Sequence, residues 1–415
     1  MDSSVEVIHI PRRFVPQEWG GSETSITETS LRLPNHGFTP RIMTTSALSD
    51  TPRETFQGIP VERYPYFYPY LGLSRDAKDI LDRKAGNLFS FSLMRALRKQ
   101  RPGIIHLHTG KRLGGIGRYC AIRQSIPYVV TLHGGQYAVP QGERESWTEP
   151  TRGAAEWGKV LGWMVGSRRI LDDAAAVICV GKDEYEAVSS RFPGKITAYL
   201  PNGVDIDRFS SGDGASFRKR WNIPDDRFVF LTTARFDIQK NQLALVRILR
   251  RAIKKIPKVH LLFIGAVTSS SYLDSIRKEA ENTGVSDRIT VIPGISYSDP
   301  QLTDAYHAAD SFILPSLHEP FGMVVLEAWA AGLPAAASRR GGLTSVISHG
   351  ETGLLFDPED PQDILAVMHT LSSSPELSRQ YAQAGRREAE AAYSWDAVTA
   401  QLAEIYRRIY ADSVS

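Results

Sequence analysis

Two carboxylates flank an expected helix start between Leu314 and Pro334, in the stretch LPSLHEPFGMVVLEAWAAGLP. A strand ending Phe312, Ile313, Leu314 runs through Pro315 and Ser316 into a polar turn with His318 and Glu319. Pro320 is placed to open an apolar helix, because its missing N–H costs nothing in the first helical turn. That reading leaves the backbone amides of Phe321, Gly322, Met323 and Val324 at a helix N-terminus, where unpaired donors and the helix dipole favour an anion such as phosphate. Glu319 stands just before these amides, and Glu327 lies about two turns in, roughly 9 Å along the axis from Phe321. Carboxylates beside an anion site suit a ligand that also carries neutral hydroxyls, so the chemistry suggested is that of a sugar nucleotide. For the spacing alone, the plainer reading of a loop Glu319 and a solvated Glu327 on an amphipathic helix is the stronger one.

Other residues could serve the same ligand. Arg235 and Lys240 sit five residues apart on a loop that follows an expected strand, Phe228 to Thr232, and two cations there suit a diphosphate; taken alone they read as solvated charges. His133 ends the expected strand Tyr128 to Leu132, at the carboxyl edge where open parallel sheets place ligand groups. Gly20 and Gly21 before Ser22 and Glu23 read as a tight turn entering a helix. Asp205-Ile206-Asp207 has the D-x-D form of a metal site but lies in the segment PNGVDIDRF, where Asp205 reads as a cap, so no metal is expected. In TGKRLGGIG, Gly115 and Gly117 are followed by Cys120 where a dinucleotide fingerprint needs glycine, which leaves a dehydrogenase as the weakest rival.

Apolar runs alternating with helical patterns place these residues on parallel α/β units. At 415 residues two or three domains are expected, and 42% hydrophobic with 23% charged residues is an ordinary globular balance. A net charge of +3 is too small to argue for nucleic acid. Residues 1–205 carry 26 Lys+Arg against 21 Asp+Glu, an excess of five that suits an anionic acceptor or membrane surface, or is a random surface excess. Two cysteines, Cys120 and Cys179, read as buried thiols and fit a reducing cytoplasm. MDSSVEVIHI reads as a strand without a secretory leader, and the longest apolar window contains Glu327 and Pro334. The expected location is therefore cytoplasmic, with any membrane contact peripheral at the inner face. RYPYFYPYLGL, Arg63 to Leu73, reads as an aromatic loop that stacks sugars, meets lipid headgroups or packs on its own domain. The Thr- and Ser-rich helix after Gly21 is expected to turn its hydroxyls to water.

The S-x-x-E-P-F-G segment, the second Glu eight residues on and the A-x-G-x-P exit resemble the retaining glycosyltransferases of family 4, which have the GT-B fold. Gly20-Gly21, His133, PNGVD from Pro201 to Asp205, and Arg235 with Lys240 extend the resemblance over most of the chain. It implies an α/β protein of two doubly wound Rossmann-like domains facing across a cleft. Residues 1–203 would bind the acceptor, with the helix 394–415 folded back on them, and residues 204–393 would hold the nucleotide sugar. The catalytic set carried over is Glu319, His133, Arg235 and Lys240. Glu319 would meet the sugar hydroxyls and Glu327 the ribose. Arg235, Lys240 and the amides of Gly21 and of Gly322 to Val324 would meet the diphosphate, Pro293-Gly294 the base, and His133 the sugar and acceptor. The implied reaction is metal-independent transfer, without a cofactor, from a nucleotide-diphosphate sugar to a hydroxyl of a glycan, lipid-linked glycan or small molecule. UDP-sugars are favoured and GDP-mannose is the other donor considered. Where most of the family has Glu, three residues after Gly341-Gly342, this chain has Ser345. A sugar-nucleotide epimerase of the same fold and a non-catalytic sugar-nucleotide-binding protein are the alternatives.

Overall fold

The computed structural model describes residues 4–16, 20–83, 86–133, 151–295 and 299–414; the segment 134–150, which follows His133, lies outside them. The chain divides into two compact units, Met1–Asn202 together with Trp395–Ser415, and Gly203–Ser394.

In the first unit the sheet runs, in spatial order, Ile196–Tyr199, Ala176–Cys179, Tyr128–Leu132, Ile104–Leu107, Val5–Ile10, Phe38–Thr45, Ile59–Tyr64, Arg53–Phe56. All neighbours are parallel except the last pair, a hairpin. Its turn residues Gln57 and Gly58 both have positive φ, 49° and 87°, the geometry that matches strand twist in a tight hairpin. This hairpin and the edge strand Ile196–Tyr199 escape a sequence reading, because they are short and half exposed and so lack a continuous apolar run. The aromatic tract is less of a loop than expected: Arg63 and Tyr64 end a strand, and Tyr70–Leu71 pairs with Ala155–Glu156. The hydroxyl-rich helix Gly21–Arg32 also departs from expectation, since Thr24, Thr27, Thr29 and Ser30 are buried. Thr24 and Thr29 donate to carbonyls one turn back, which satisfies those hydroxyls without water.

The helix Trp395–Val414 belongs to this unit. Its Trp395, Val398, Leu402 and Ile409 are buried at helical spacing, and Tyr406 packs edge-on to Phe38 with ring centroids 5.3 Å apart.

In the second unit six strands, all parallel, run in the order Ile289–Pro293, Val259–Gly265, Phe228–Thr233, Ser311–Leu314, Ala335–Ser338, Leu354–Phe356. Phe230, Leu261, Phe263, Ile313 and Phe356 pack with Leu245 and Leu249 of the helix Gln242–Lys255 and Ile364 and Met368 of Pro361–Ser373. The alternate residues Leu231, Leu262, Phe312 and Leu314 are equally buried, so helices cover both faces and the strands read as unbroken apolar runs. No helix among the described residues is long and apolar enough to cross a membrane.

Candidate donor site at a switch in strand order

Strand order in the second unit reverses between Phe228–Thr233 and Ser311–Leu314, which are neighbours in the sheet but far apart in sequence. Connections leaving the carboxyl ends of two such strands depart to opposite sides, and the gap between them is where open α/β sheets hold ligands. The first strand delivers Arg235 and Lys240 there, and the fourth delivers Ser316 to Val324.

Lys240 Nζ donates to Glu319 Oε2 at 2.7 Å, and both side chains are mostly buried, 13% and 12% exposed. Ser316, fully buried, lies with its hydroxyl 3.5 Å from the same oxygen. The loops are laced at the backbone as well, Leu317 N–H donating to Gln239 C=O at 2.7 Å. Lys240 is held by Asp237, whose carboxylate accepts from the Lys240 N–H at 3.2 Å. Arg235 is different. Its side chain is 57% exposed and its nearest acid is Asp237, at 3.5 Å. The structure thus joins Lys240 to Glu319 and leaves Arg235 outside that pair.

The turn carrying Glu319 depends on glycine. Gly341 has φ +55°, and a Cβ there would stand 2.4 Å from the Glu319 carbonyl oxygen; at Gly342 it would stand 2.2 Å from that of Pro320. The Gly342 N–H donates to Glu319 C=O at 2.9 Å, so the two segments meet backbone to backbone.

The helix begins later than its sequence suggests. It spans Met323–Ala330, with Gly322 as N-cap at φ 96°, ψ 47°. A residue in the left-handed region cannot continue a right-handed helix, so Pro320 and Phe321 fall in the preceding turn and Phe321 packs away, 4% exposed. Met323 and Val324 are the first-turn amides, whereas the Val325 N–H is taken by Gly322 C=O at 2.9 Å.

Glu327 faces inward, 6% exposed, and accepts from the Tyr306 hydroxyl at 2.6 Å. Tyr306 also meets Thr233 Oγ1 at 2.7 Å, so this carboxylate is tied to the end of the first strand. Burial pushes the Glu327 carboxyl above its ordinary range, while the Tyr306 hydrogen bond and the Arg208 charge pull the other way. Sequence reasoning missed Tyr306 and Ser316. Tyr306 lies on the helix Pro300–His307, with no local motif to mark it; the Ser of S-x-x-E was quoted but given no role. Pro293 ends its strand exposed, and Gly294, φ +88°, ties back through its N–H to Gly265 C=O at 2.9 Å. Asp205 caps the short helix Ile206–Phe209 by accepting from the Arg208 N–H at 3.0 Å.

In the first unit, Gly20 is the N-cap of Gly21–Arg32 and its C=O accepts from the Thr24 N–H at 3.0 Å. His133 follows the strand Tyr128–Leu132, with Nε2 3.1 Å from His108 Nδ1.

The parallel units, the strand-order switch and the acid–cation pair define a glycosyltransferase of the GT-B class. Residues 19–208 match the family model described as Glycosyltransferase Family 4, and residues 213–388 the one described as Glycosyl transferases group 1. The chain belongs to the retaining glycosyltransferases of family 4. Among curated proteins it is similar to a D-inositol 3-phosphate glycosyltransferase of Geodermatophilus obscurus, 26% identical over 93% of this chain and 84% of that one. The protein of the same name from Mycobacteroides abscessus is 29% identical over 95% and 85%. Among solved structures, sucrose-phosphate synthase from Thermosynechococcus elongatus superposes with a TM-score of 0.70, at 23% identity, over 98% of this chain and all of that one. HepE of Anabaena, in complex with UDP and glucose, also superposes at 0.70, with 17% identity over 97% and 100%. At such identities the structural likeness speaks to fold alone.

Proposed function

We propose that this enzyme transfers a hexosyl group, with retention, from a nucleotide-diphosphate sugar to an acceptor hydroxyl, and that UDP is the favoured nucleotide. The observation that carries this reading is the Lys240–Glu319 pair at the strand-order switch: a cation for the diphosphate and a carboxylate for sugar hydroxyls, 2.7 Å apart. In the reaction the bond from the anomeric carbon to the diphosphate breaks, a bond to the acceptor oxygen forms, and the acceptor proton ends on the leaving diphosphate. Negative charge builds on that group, so Lys240, Arg235 and the Met323 and Val324 amides favour the transition state over the intact donor. Glu327, steadied by Tyr306, takes the ribose hydroxyls, and the backbone at Pro293-Gly294 meets the base. The family resemblance assigns Gly20-Gly21 to the diphosphate and His133 to the sugar and acceptor. The chemistry requires no metal and no cofactor.

For the acceptor, a small polyol phosphate is supported by two facts. Relatives over most of the chain are named for D-inositol 3-phosphate. Arg12 and Lys111 follow strand ends of the first unit, and burial together with the nearby Arg12 charge lowers the Lys111 pKa. A lipid-linked glycan is the second acceptor class; exposed Leu71, Phe91, Trp157, Trp163 and Met164 suit a peripheral membrane contact.

A donor panel tests the reading. A ligand at 100 times its Kd adds about 2.7 kcal/mol of stability, so UDP-, GDP- and ADP-sugars are ranked by thermal shift. The best donor is then incubated with and without inositol phosphate. Product only with acceptor supports transfer, isomerised sugar from donor alone indicates an epimerase, and silence across the panel overturns the enzyme's proposed donor.

A further inference from the structure

The short helix Lys159–Met164 of the first unit turns its large apolar side chains the wrong way for a surface helix. Gly162 faces the fold: it is buried, and a Cβ there would stand 3.1 Å from Ser167 Oγ. Val160, Trp163 and Met164 face outward, 69%, 85% and 41% exposed, at the i, i+3, i+4 spacing of one helix face. A surface helix ordinarily buries that stripe.

The apolar face continues beyond the helix. Trp157 lies just before it, with its N–H donating to Pro69 C=O at 3.2 Å, and Leu71 lies on the strand that pairs with Ala155–Glu156. Phe67 stacks on both Phe91 and Trp157, with ring centroids 5.8 and 5.9 Å apart and planes within 19° and 13°. Leu71, Phe91 and Trp157 are themselves exposed. Rings held in place this way lose little freedom on contact, and a contiguous exposed apolar surface marks an interaction site where scattered single residues do not.

The charge around this face has one sign. Residues 91–99 hold Arg95, Arg98 and Lys99 and no acid, and residues 151–169 hold Arg152, Lys159, Arg168 and Arg169 with one acid, Glu156. All seven cations are exposed, whereas the Glu156 carboxylate is engaged by the buried Arg112 guanidinium. Among the described residues Arg169 is the one of the seven in an ion pair, with Asp173 at 2.8 Å. Arg95 follows Phe91 by one helical turn and Lys159 precedes Trp163 by one, so each aromatic anchor has a cation beside it. Tryptophans rimmed by Lys and Arg match an anionic bilayer, where rings enter the headgroup layer and cations meet lipid phosphates. A second copy of this chain fits less well, because a two-fold contact would set this basic rim against itself.

We propose that the face formed by Leu71, Phe91, Trp157, Val160, Trp163 and Met164 docks the first unit peripherally on an anionic lipid bilayer. This names the partner of the membrane contact in the proposed function, and it rests on that reading only for its purpose, which is to bring the enzyme to a lipid-linked acceptor. At about 9 Å the helix lies in the interface and does not span it.

Flotation of the full chain, without donor or acceptor, reads the docking directly. One set of vesicles is phosphatidylcholine alone, and the other is phosphatidylcholine with an equal share of phosphatidylglycerol. The chain is expected to bind the anionic vesicles far better than the neutral ones, and to be released by salt. Trp163→Ser should lower the affinity about tenfold or more, and Lys159→Glu about tenfold. Both side chains are exposed, so both variants should melt near wild type. No binding to the anionic vesicles, equal binding to the two compositions, or full binding by either variant overturns the proposal. A lipid-free dimer that Trp163→Ser dissociates also overturns it, since a second copy then covers the face. Failure of the docking leaves the transferase reading standing, and silence across the donor panel leaves the docking standing, because the vesicle measurement uses no donor.

Discussion

Lys240 and Glu319, 79 residues apart in sequence, meet at 2.7 Å with both side chains mostly buried. Each is thereby the other's counter-charge, and removing either leaves a charge in a poorly hydrated place. Lys240→Ala should therefore lower both kcat, by about 10²- to 10³-fold, and the melting temperature. The double variant Lys240→Ala/Glu319→Gln should melt higher than Lys240→Ala alone. Strict additivity of the two melting-temperature losses would show that the pair is not coupled.

Arg235 behaves otherwise, because its side chain is 57% exposed and its acid partner is 3.5 Å away. A surface pair of that kind contributes about 0 to 1 kcal/mol, so Arg235→Ala should melt near wild type. If its guanidinium meets the diphosphate, kcat at saturating donor falls about 10²-fold, and lysine substitutes poorly for lack of the planar fork. An alanine variant retaining more than about a third of kcat, under roughly 0.7 kcal/mol, removes Arg235 from the site.

Glu327 and Tyr306 should act on donor affinity. The ribose changes little between ground and transition state, so Glu327→Ala is expected to raise KM for the nucleotide sugar more than it lowers kcat. Tyr306→Phe deletes the 2.6 Å hydrogen bond and should raise KM in the same direction by less. An unchanged donor KM in Glu327→Ala would remove the ribose assignment.

Chelation should leave turnover intact. Asp205, the acid most suggestive of a metal ligand, spends its carboxylate on the Arg208 N–H at 3.0 Å. Activity lost in EDTA and restored by Mn²⁺ or Mg²⁺ would contradict this.

Acid should destabilise the chain well before all its carboxylates are protonated. Burial lowers His9 to about 3 and His133 and His260 to about 4, and holds His106 and His108 well below 6.5. Between those values and 6.5 the unfolded chain binds more protons than the native one, so the stability these groups bring is complete above about pH 6.5 and lost as pH falls. Each contributes a slope of about 1.4 kcal/mol per pH unit in that window. Glu23 and Glu327, raised by burial, act in the opposite sense above 4.5, but they are two against five. Melting temperature should rise from pH 4.5 to 6.5; a flat or falling profile would show that the histidines are not neutral in the fold.

Local pattern alone determined a good deal. Apolar runs bounded by turn residues located strands such as Tyr128–Leu132 and Ala335–Ser338, because burial on both faces of a parallel sheet demands continuous hydrophobicity. The same reading placed two buried thiols, Cys120 and Cys179, and the cap at Asp205. Tertiary structure alone decided the rest. Pro320 looks like a helix start, but close packing of Gly341 and Gly342 on the backbone of Glu319 and Pro320, and the left-handed Gly322, move that start to Met323. Which cation meets Glu319 depends on which strand lies beside Ser311–Leu314, and that order is set by long-range pairing with no local signature. The hydrogen bonds of His108 with His9 and with His133, 3.0 and 3.1 Å, have the same origin: the three strands that carry or precede them are distant in sequence and become neighbours only in the sheet.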